Sequence, residues 1–526
     1  MLRKLRITGA CIVFALLTFL FCDFTGTFIG TLAPLAEIQF LPAFLAGNAI
    51  IIAALLITTF LFGRLYCSII CPFGVFQDVI SRLAIWRKKN RFGWQQGKTF
   101  WRVGFLTLFV VLFLCGFSSV AALLDPYSAF GRITSNLFAP IYRLGNNLLA
   151  YWAERSGSYA FYSVDVWMKG IETFIIAIAT LMVAIIFAVR WGRLYCNTVC
   201  PVGAILGLIA KYAILKPRIE TSKCNGCGLC AKNCKASCIN PEKHVVDSSR
   251  CIVCFNCIEK CPQKAISYRK SFESQPAPAP VQGTLSTIVS STAGPASTAS
   301  PIKATETLAS PMIRRGFLSM IAFYALTKTG LAQEKPKKKK KEFDGGLAPL
   351  VKRVPPTRTV APLPPGSQSL RNFARRCSAC QLCVSVCPNQ VLRPSQDSWK
   401  TTMQPSMSFE RGYCRPECVR CSEVCPTGAI LPTTTADKSA TQIGYAVWVR
   451  DACIVITDDV ECGNCERHCP TDAIEMIPLN PDDPQSKKIP TVNVERCIGC
   501  GACENLCPAR PTSAIYVEGV DRQRTI

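Results

Sequence analysis

The stretches CNGCGLCAKNC at residues 224–234 and CIVCFNCIEKCP at residues 251–262 decide the fold of the middle of this chain. Each has the spacing C-x2-C-x2-C-x3-C, which is typical of bacterial domains that hold two [4Fe–4S] clusters and exchange the fourth cysteine of each run. A structural zinc site would instead use four cysteines in two C-x2-C knuckles. The spacing therefore predicts one cluster on Cys224, Cys227, Cys230 and Cys261, and a second on Cys251, Cys254, Cys257 and Cys234. Cys238 is left as a spare thiol near the second cluster, with no role assigned.

The composition of the whole chain excludes other kinds of redox protein. Among 526 residues there are 32 cysteines but only two histidines, and no C-x-x-C-H, so haem ligands are not expected. No Gly-rich nucleotide-binding motif is found either. The net charge of +25 is partly offset by the clusters, which carry roughly −2 each with their thiolates. The preference of Lys and Arg for the cytoplasmic side of a membrane explains most of the remaining positive charge. We therefore expect no nucleic-acid partner.

Four apolar runs, at residues 7–21, 44–62, 103–124 and 171–189, predict a membrane α-helical bundle of four spans. The last three have about 19 residues or more, enough to cross a hydrocarbon core of about 30 Å. The first is marginal, and a cleaved signal peptide is the alternative there, although no A-x-A site follows it.

Lysine and arginine are unevenly distributed between the loops. Eight lie in residues 64–102 and none in residues 23–42. Because these residues favour the cytoplasmic side, both ends of the bundle are expected in the cytoplasm, with the chain in the bacterial inner membrane and lipid as its surroundings.

A repeated motif predicts that the bundle consists of two related helical hairpins. GRLYCSIICPFG at residues 63–74 recurs as GRLYCNTVCPVG at residues 192–203, each copy just after an apolar run. Cysteines at i and i+4 lie on one helical face. If a two-fold axis relates the halves, Cys67, Cys71, Cys196 and Cys200 meet as an additional thiolate metal site. The alternative is a structural motif, with packed thiols or a redox disulfide.

Two segments after the first cysteine-rich domain are typical of a tether and an export signal. Residues 275–310 are rich in Pro, Ala, Ser and Thr with almost no charge, which indicates a disordered linker. Arg314-Arg315-Gly316-Phe317-Leu318 then begins an apolar stretch and is similar to a twin-arginine export signal. The lysines at 335 and 337–341 oppose the positive-inside tendency, so the alternative is an interfacial helix with everything after it cytoplasmic.

Four further cysteine runs predict a C-terminal domain with four [4Fe–4S] clusters. The sixteen cysteines are Cys377, Cys380, Cys383, Cys387; Cys414, Cys418, Cys421, Cys425; Cys453, Cys462, Cys465, Cys469; Cys497, Cys500, Cys503 and Cys507. Eight residues separate Cys453 from Cys462, so Cys453 is the least regular ligand, and a three-iron or unfilled site is the alternative there. With the first domain, the total is six clusters.

These signals divide the chain into a membrane domain and α+β ferredoxin-like domains, one two-cluster and one four-cluster. The expected segments are a four-span membrane domain at 1–216, a two-cluster ferredoxin domain at 217–273, a disordered linker at 274–312, a twin-arginine-like apolar segment at 313–332, a Lys/Pro-rich linker at 333–370 and a four-cluster ferredoxin domain at 371–526.

Residues 1–270 resemble NapH-type membrane ferredoxins, because they combine four apolar runs, two GRLYC-x3-CP loops and the eight-cysteine domain. Residues 313–520 resemble NapG-type proteins, through the twin arginine and the four runs. Both are electron-transfer partners of periplasmic nitrate reductases, so the chain looks like a fusion of the two. The resemblance implies that run one shares its clusters with run four, and run two with run three. Cys507, Cys387, Cys469 and Cys425 would then be the exchanged ligands.

The function expected from these features is electron relay. Electrons from quinol, or from a cytoplasmic donor, would pass through the clusters to a periplasmic reductase or another redox protein. No nucleophile–base pair or open metal site is visible, so the chain is expected to carry electrons, at most as a quinol dehydrogenase. The alternative is a maturation or metal-homeostasis role like that of CcoG/RdxA proteins, which share the C-x3-C-P loops and the eight-cysteine domain. A redox sensor with labile clusters is a third.

Overall fold

The computed structural model describes residues 1–86, 92–270, 353–396 and 401–526, which belong to one compact unit. The expected linker at 274–312, the twin-arginine-like segment at 313–332 and residues 333–352 of the second linker lie outside the described residues.

Within residues 1–86 and 92–210 the regular structure is helical. Their α-helices are Leu2–Cys22, Ile29–Glu37, Phe40–Ala46, Ala49–Phe62, Tyr66–Ile69, Pro72–Trp86, Thr99–Leu114, Ser118–Ala121, Pro126–Ile133, Ala139–Arg155, Ile171–Trp191, Leu194–Thr198 and Pro201–Ala210. A π-helical turn, Thr134–Phe138, joins Pro126–Ile133 to Ala139–Arg155. The two short helices Tyr66–Ile69 and Leu194–Thr198 occupy the same place in the two copies of the repeated motif.

Two helices in the described part of the chain, Leu2–Cys22 and Ile171–Trp191, are long and apolar enough to cross a membrane. The pair Ile29–Glu37 and Phe40–Ala46, bent by 91°, would count as a third span if taken together. Four full spans are therefore not what the structure shows. The apolar runs at 44–62 and 103–124 form helices of only 14 and 16 residues, about 21 and 24 Å long at 1.5 Å per residue.

Local chain chemistry explains why these two helices are short. The Asn48 side chain accepts a hydrogen bond from the Ile51 N–H at 3.2 Å and caps the start of Ala49–Phe62. Gly63, with a φ of 73°, ends this helix. Gly116 follows Thr99–Leu114 with a φ of 82°, in the left-handed region that favours glycine.

The first cysteine-rich domain is a small α+β unit tied at its ends. Strand Leu215–Ile219 pairs antiparallel with Ile266–Lys270, with Leu215 opposite Lys270 and Ile219 opposite Ile266. Ile239–Asn240 pairs with Val245–Val246. The one-turn helices Leu229–Lys232 and Asn256–Glu259 each carry the third cysteine of a run.

The C-terminal part repeats this construction twice. Its strand pairs are Leu392–Pro394 with Pro405–Met407, Ile474–Pro478 with Lys488–Val492, and Thr441–Trp448 with Ile515–Thr525. Its α-helices are Leu370–Arg376, Leu382–Val386, Arg420–Glu423, Thr435–Ser439, Ile454–Thr457, Asn464–Arg467 and Ala502–Leu506. As in the first domain, the third cysteine of every run lies in a one-turn helix.

Candidate metal centres

The two-cluster domain brings its cysteines together as their spacing predicts. One pocket is lined by Cys224, Cys227, Cys230 and Cys261. A second cavity is lined by Cys234, Cys251, Cys254 and Cys257, and also by Cys238. Each thus offers the four thiols that a [4Fe–4S] cluster needs.

The C-terminal domain groups its runs differently from what the resemblance implied. Cys387 lines a cavity with Cys414, Cys418 and Cys421. Cys507 lines another with the first three cysteines of run three, Cys453, Cys462 and Cys465. Run one therefore exchanges its fourth cysteine with run two, and run three with run four. The pairing of run one with run four was wrong.

The other two groups follow the same order. Burial raises the pKa of Cys383, and the neighbouring Cys380, Cys377 and Cys425 thiolates raise it further, so Cys425 lies with run one. Burial likewise raises the pKa of Cys500 to about 12, and the Cys497 and Cys469 thiolates contribute to this increase. Cys469 therefore lies with run four.

The physical reason for this order is the hairpin between consecutive runs. The strand pair Leu392–Pro394 with Pro405–Met407 turns the chain back between runs one and two. The pair Ile474–Pro478 with Lys488–Val492 does the same between runs three and four. Each hairpin folds neighbouring runs against each other and forms a two-cluster unit by local contacts. Despite its long gap, Cys453 lies with Cys462 and Cys465 at one cavity.

The four cysteines of the repeated motif are all buried in the membrane half, in one packed core. The copies contact each other reciprocally. Arg64 Nη2 donates to the Cys196 backbone oxygen at 3.1 Å, and Arg193 Nη1 donates to that of Cys67 at 2.8 Å. The same nitrogens lie 3.8 Å from Cys67 Sγ and 3.9 Å from Cys196 Sγ. Each arginine thus contacts the first thiol of its own copy and the backbone of the first cysteine in the other copy.

The thiols are close enough to interact electrostatically. Burial raises the pKa of Cys71, and the Cys67 and Cys196 thiolates raise it further. Burial raises the pKa of Cys200 as well, with contributions from Cys196 and Cys71. In addition, Gly203 N donates to Cys200 Sγ at 3.2 Å. We call Cys67, Cys71, Cys196 and Cys200 the four-thiol site.

The surroundings of the four-thiol site suit an anion. Three buried cations, Arg6, Arg193 and Lys235, pair with one buried carboxylate, Asp78, and a fourth, Arg64, lies 3.8 Å from Cys67 Sγ. Burial alone would raise the pKa of Asp78, but Arg193 and Lys235 hold it well below its usual range. The buried N–H groups of the described residues that find no acceptor include Arg64 Nε, Arg193 Nη2 and Gln77 Nε2 at this site. Unpaired buried cations and donors are costly, and a four-thiolate cluster with a charge of roughly −2 would satisfy both.

A single metal ion fits less well. Among the described residues, no three His, Cys, Asp or Glu side chains converge closely enough to hold one ion. Zinc requires four ligands at metal–sulfur distances of about 2.3 Å. Each cavity of the ferredoxin units is lined by the four thiols that a [4Fe–4S] cluster requires.

The two ferredoxin units contact different loops of the membrane half. Arg193 N donates to Lys235 O at 2.8 Å, and Asn197 Nδ2 to Ala236 O at 3.3 Å, which joins the two-cluster unit to the second copy of the motif. In the C-terminal unit, Gln381 Oε1 accepts from Asn136 Nδ2 at 2.7 Å. The Arg411–Asp165 ion pair, at 2.9 Å, joins the same unit to the loop before Ile171–Trp191.

A buried polar contact fixes the first run of the C-terminal unit. Lys169 Nζ donates to Ser135 Oγ at 2.6 Å and to Ser385 Oγ at 3.2 Å, and Arg143 Nη2 donates to the Ser385 backbone oxygen at 3.1 Å. Nearby, a Cβ added at Gly131 would collide with the Cys380 carbonyl oxygen. Run one therefore packs directly on helix Pro126–Ile133.

Sequence reasoning missed the charged residues around the four-thiol site. Arg64 and Arg193 stand three residues before the first cysteine in both copies of the motif, and that recurrence was the available signal. Asp78 and Lys235 carry no such signal, because they come from separate segments that only folding brings together.

The comparisons with known proteins agree with these sites. A family described as a 4Fe-4S binding domain matches residues 45–91 and 173–221, which contain the two copies of the motif. A 4Fe-4S dicluster domain matches residues 460–510, which contain most of run three and all of run four.

Individual relatives point to the same class. The chain is 33% identical over 168 residues to the methylamine utilization ferredoxin-type protein MauM of Methylobacillus flagellatus, covering 31% of this chain and 70% of that protein. It is 32% identical over 165 residues to MauM of Paracoccus denitrificans, covering 31% and 73%. It is 29% identical over 154 residues to the ferredoxin-type protein NapF of Escherichia coli, covering 29% and 84%. No solved structure matches the chain.

Proposed function

The chain belongs to the family of ferredoxin-type iron–sulfur proteins that includes MauM, and we propose that it relays electrons between the two sides of a bacterial inner membrane. Electrons enter from quinol or a cytoplasmic donor and leave to a periplasmic reductase or another redox protein. The chain acts as an oxidoreductase only in this sense.

One observation carries this proposal. A single packed core contains cysteines of the two-cluster unit, the four-thiol site and run one of the C-terminal unit. Cys254 and Cys257, Cys67 and Cys196, and Cys380 and Cys383 all belong to it. Electron transfer between metal centres requires close spacing through packed protein, and a core that joins three groups supports a relay.

The contacts of the two units support an orientation across the membrane. The two-cluster unit touches the Lys/Arg-rich side, at Arg193, Asn197 and Asp78. The C-terminal unit touches loops near Phe24, Asn136 and Asp165, on the side with few cations. With the positive-inside rule, the two-cluster unit is cytoplasmic and the four-cluster unit periplasmic. Four spans, with the two short helices completing the bundle, fit this arrangement.

The chain combines the parts of a NapH-type membrane ferredoxin and a NapG-type four-cluster ferredoxin. In this proposal residues 313–332 act as a twin-arginine signal that exports the C-terminal unit already folded around its clusters. The acceptor is a separate question. The name of MauM refers to methylamine utilization, so a periplasmic enzyme of amine metabolism is as good a partner as a nitrate reductase.

The cofactors are six [4Fe–4S] clusters on the ferredoxin cysteines and a further cluster in the four-thiol site. Such clusters supply reversible one-electron oxidation and reduction with little rearrangement. The protein residues set their potentials through burial and through N–H donors to sulfur, such as Ala473 N, which donates to Cys469 Sγ at 3.2 Å.

The test uses the whole protein, purified anaerobically from membranes. Addition of a quinol should produce the low-temperature EPR signals of reduced clusters, and a periplasmic extract should abolish them. Cys67→Ser and Cys196→Ser would be compared with Cys115→Ser, which changes an exposed cysteine outside the cluster sites. Reduction by dithionite but by no quinol would contradict quinol as the donor.

A CcoG/RdxA-type maturation role is the second candidate, because the four-thiol site belongs to the motif shared with those proteins. It would be favoured if Cys67→Ser leaves quinol-linked reduction unchanged but impairs oxidase assembly or copper handling in cells.

A further inference from the structure

We propose that the second ferredoxin cluster has two interchangeable fourth ligands, Cys234 and Cys238. The cluster itself is part of the proposed function, and the inference rests on its presence. The spacing of the run assigns only Cys234, and leaves Cys238 without a role.

The geometry places both thiols at the same site. Cys234 Sγ and Cys238 Sγ are 3.5 Å apart and share a hydrogen bond. Both line the cavity that Cys251, Cys254 and Cys257 line, and both are buried. A [4Fe–4S] cluster takes four thiolates, so this cavity offers one more than it needs.

The ordinary explanation for a surplus buried cysteine is that it fills space as a small apolar side chain. Cys22, buried at the end of helix Leu2–Cys22, fits that description. Cys238 does not, because its sulfur contacts a ligand sulfur and faces the cavity in which the cluster would lie.

The sequence after Cys234 also differs from every other fourth cysteine in the chain. Proline follows Cys261, Cys387, Cys425, Cys469 and Cys507. It fixes φ near −65° and so directs the chain away from the cluster. Lys235 follows Cys234 instead, and Ser237 has a φ of 49°, so the chain turns back and returns Cys238 to the cavity.

The segment between the two thiols is held by the membrane half. Lys235 O accepts from Arg193 N at 2.8 Å, and Lys235 Nζ pairs with Asp78 Oδ1 at 3.3 Å. Ala236 O accepts from Asn197 Nδ2 at 3.3 Å. Arg193 and Asn197 flank Cys196, so a change of ligand in this segment acts on the residues beside the four-thiol site.

Exchange between the two ligands balances without a further reactant. The bond from iron to Cys234 Sγ breaks, a bond from the same iron to Cys238 Sγ forms, and the Cys238 proton passes to Cys234 Sγ across their hydrogen bond. No oxidant or reductant is consumed.

The experiment uses the full-length protein, purified anaerobically, with iron content and EPR as readouts. Cys234→Ala and Cys238→Ala are compared with the double variant and with Cys254→Ala, which removes another ligand of the same cluster. Each single variant of the pair should keep the wild-type iron content. The double variant and Cys254→Ala should lose about one to four iron atoms, with a three-iron EPR signal where one iron is lost.

Three outcomes would overturn the inference. Iron loss in Cys234→Ala alone means that Cys238 does not ligate, and loss in Cys238→Ala alone means that Cys234 does not. Full iron in the double variant means that the fourth ligand lies elsewhere. The unchanged signals of the other clusters show that each variant has folded. Wild-type protein that binds no iron would refute the proposed function instead, so the two failures are distinguishable.

Discussion

Replacing Asp78 by asparagine should destabilise the protein far more than the same replacement at Asp165. Both carboxylates accept from an arginine at 2.9 Å, Asp78 from Arg193 and Asp165 from Arg411. They differ in burial: the Asp78 side chain is 11% exposed and that of Asp165 is 63% exposed. The two substitutions therefore compare the same chemical change in two surroundings.

The magnitude follows from what each substitution leaves behind. In D78N a neutral amide would face Arg193, Lys235 and Arg6, whose nitrogens lie 2.9, 3.3 and 3.2 Å from the carboxylate oxygens of Asp78. Removal of one partner from a buried ion pair costs about 3–5 kcal/mol, because the remaining charges are uncompensated. An exposed pair contributes about 0–1 kcal/mol. We expect a difference of at least about 2 kcal/mol between D78N and D165N.

The assay is urea unfolding of the full chain in detergent, followed by circular dichroism and by cluster absorbance. Lys235→Met and the double variant complete a mutant cycle, which should give a coupling energy of about 0.5–3 kcal/mol. Because Lys235 belongs to the two-cluster unit, D78N should also expose that unit to protease before the C-terminal unit. Equal destabilisation by D78N and D165N would refute the reasoning from burial.

Four further predictions follow from the same structure. If the four-thiol site holds a cluster, iron analysis should give about 28 iron atoms per chain. Cys67→Ser or Cys196→Ser should lower this number to about 24. An unchanged iron content in these variants would exclude a cluster at the site. Cys387→Ser should perturb the EPR signal of the cluster on Cys414, Cys418 and Cys421, and Cys507→Ser that on Cys453, Cys462 and Cys465; perturbation of run four by Cys387→Ser would restore the other pairing. Burial raises the pKa of Asp125 to about 6. The contribution of this carboxyl to stability is therefore present below pH about 4 and is lost as the pH rises to about 6. In Asp125→Asn, the free energy of unfolding should depend less on pH across that window. Gly131→Ala, whose Cβ would meet the Cys380 carbonyl and lie 2.9 Å from Phe21, should weaken protection of the C-terminal unit from protease, whereas Gly145→Ala in open space should not, and equal protection would contradict the packing of run one on this helix.

In the membrane half, hydropathy predicted where helices form but not how long they are. The hydropathy of residues 7–21 and 171–189 predicted helices that the structure has, as Leu2–Cys22 and Ile171–Trp191. The runs at 44–62 and 103–124 are equally apolar, but a capping Asn48 and the glycines at 63 and 116 shorten them. Composition does not register where a helix begins and ends.

For the ferredoxin cysteines, local spacing determined the position of three cysteines in each run but not that of the fourth. Their spacing places three thiols of a run around one cavity because the chain between them is too short to do otherwise, and Cys224, Cys227 and Cys230 lie as expected. Spacing does not determine which neighbouring run shares a cluster with the fourth cysteine. In the C-terminal unit, the pairing implied by the resemblance was wrong. The hairpins between consecutive runs decide it.

The sequence by itself determined the ligand chemistry, the number of cysteine groups and the repeated motif, because each depends on spacings of a few residues. Only the tertiary structure decided which runs share clusters, that Arg64 and Arg193 each join both copies of the motif, and that Asp78 meets Lys235 from another domain. These last contacts join residues that are far apart in the chain. Their energies come from burial and charge in the assembled core, which no local pattern of residues records.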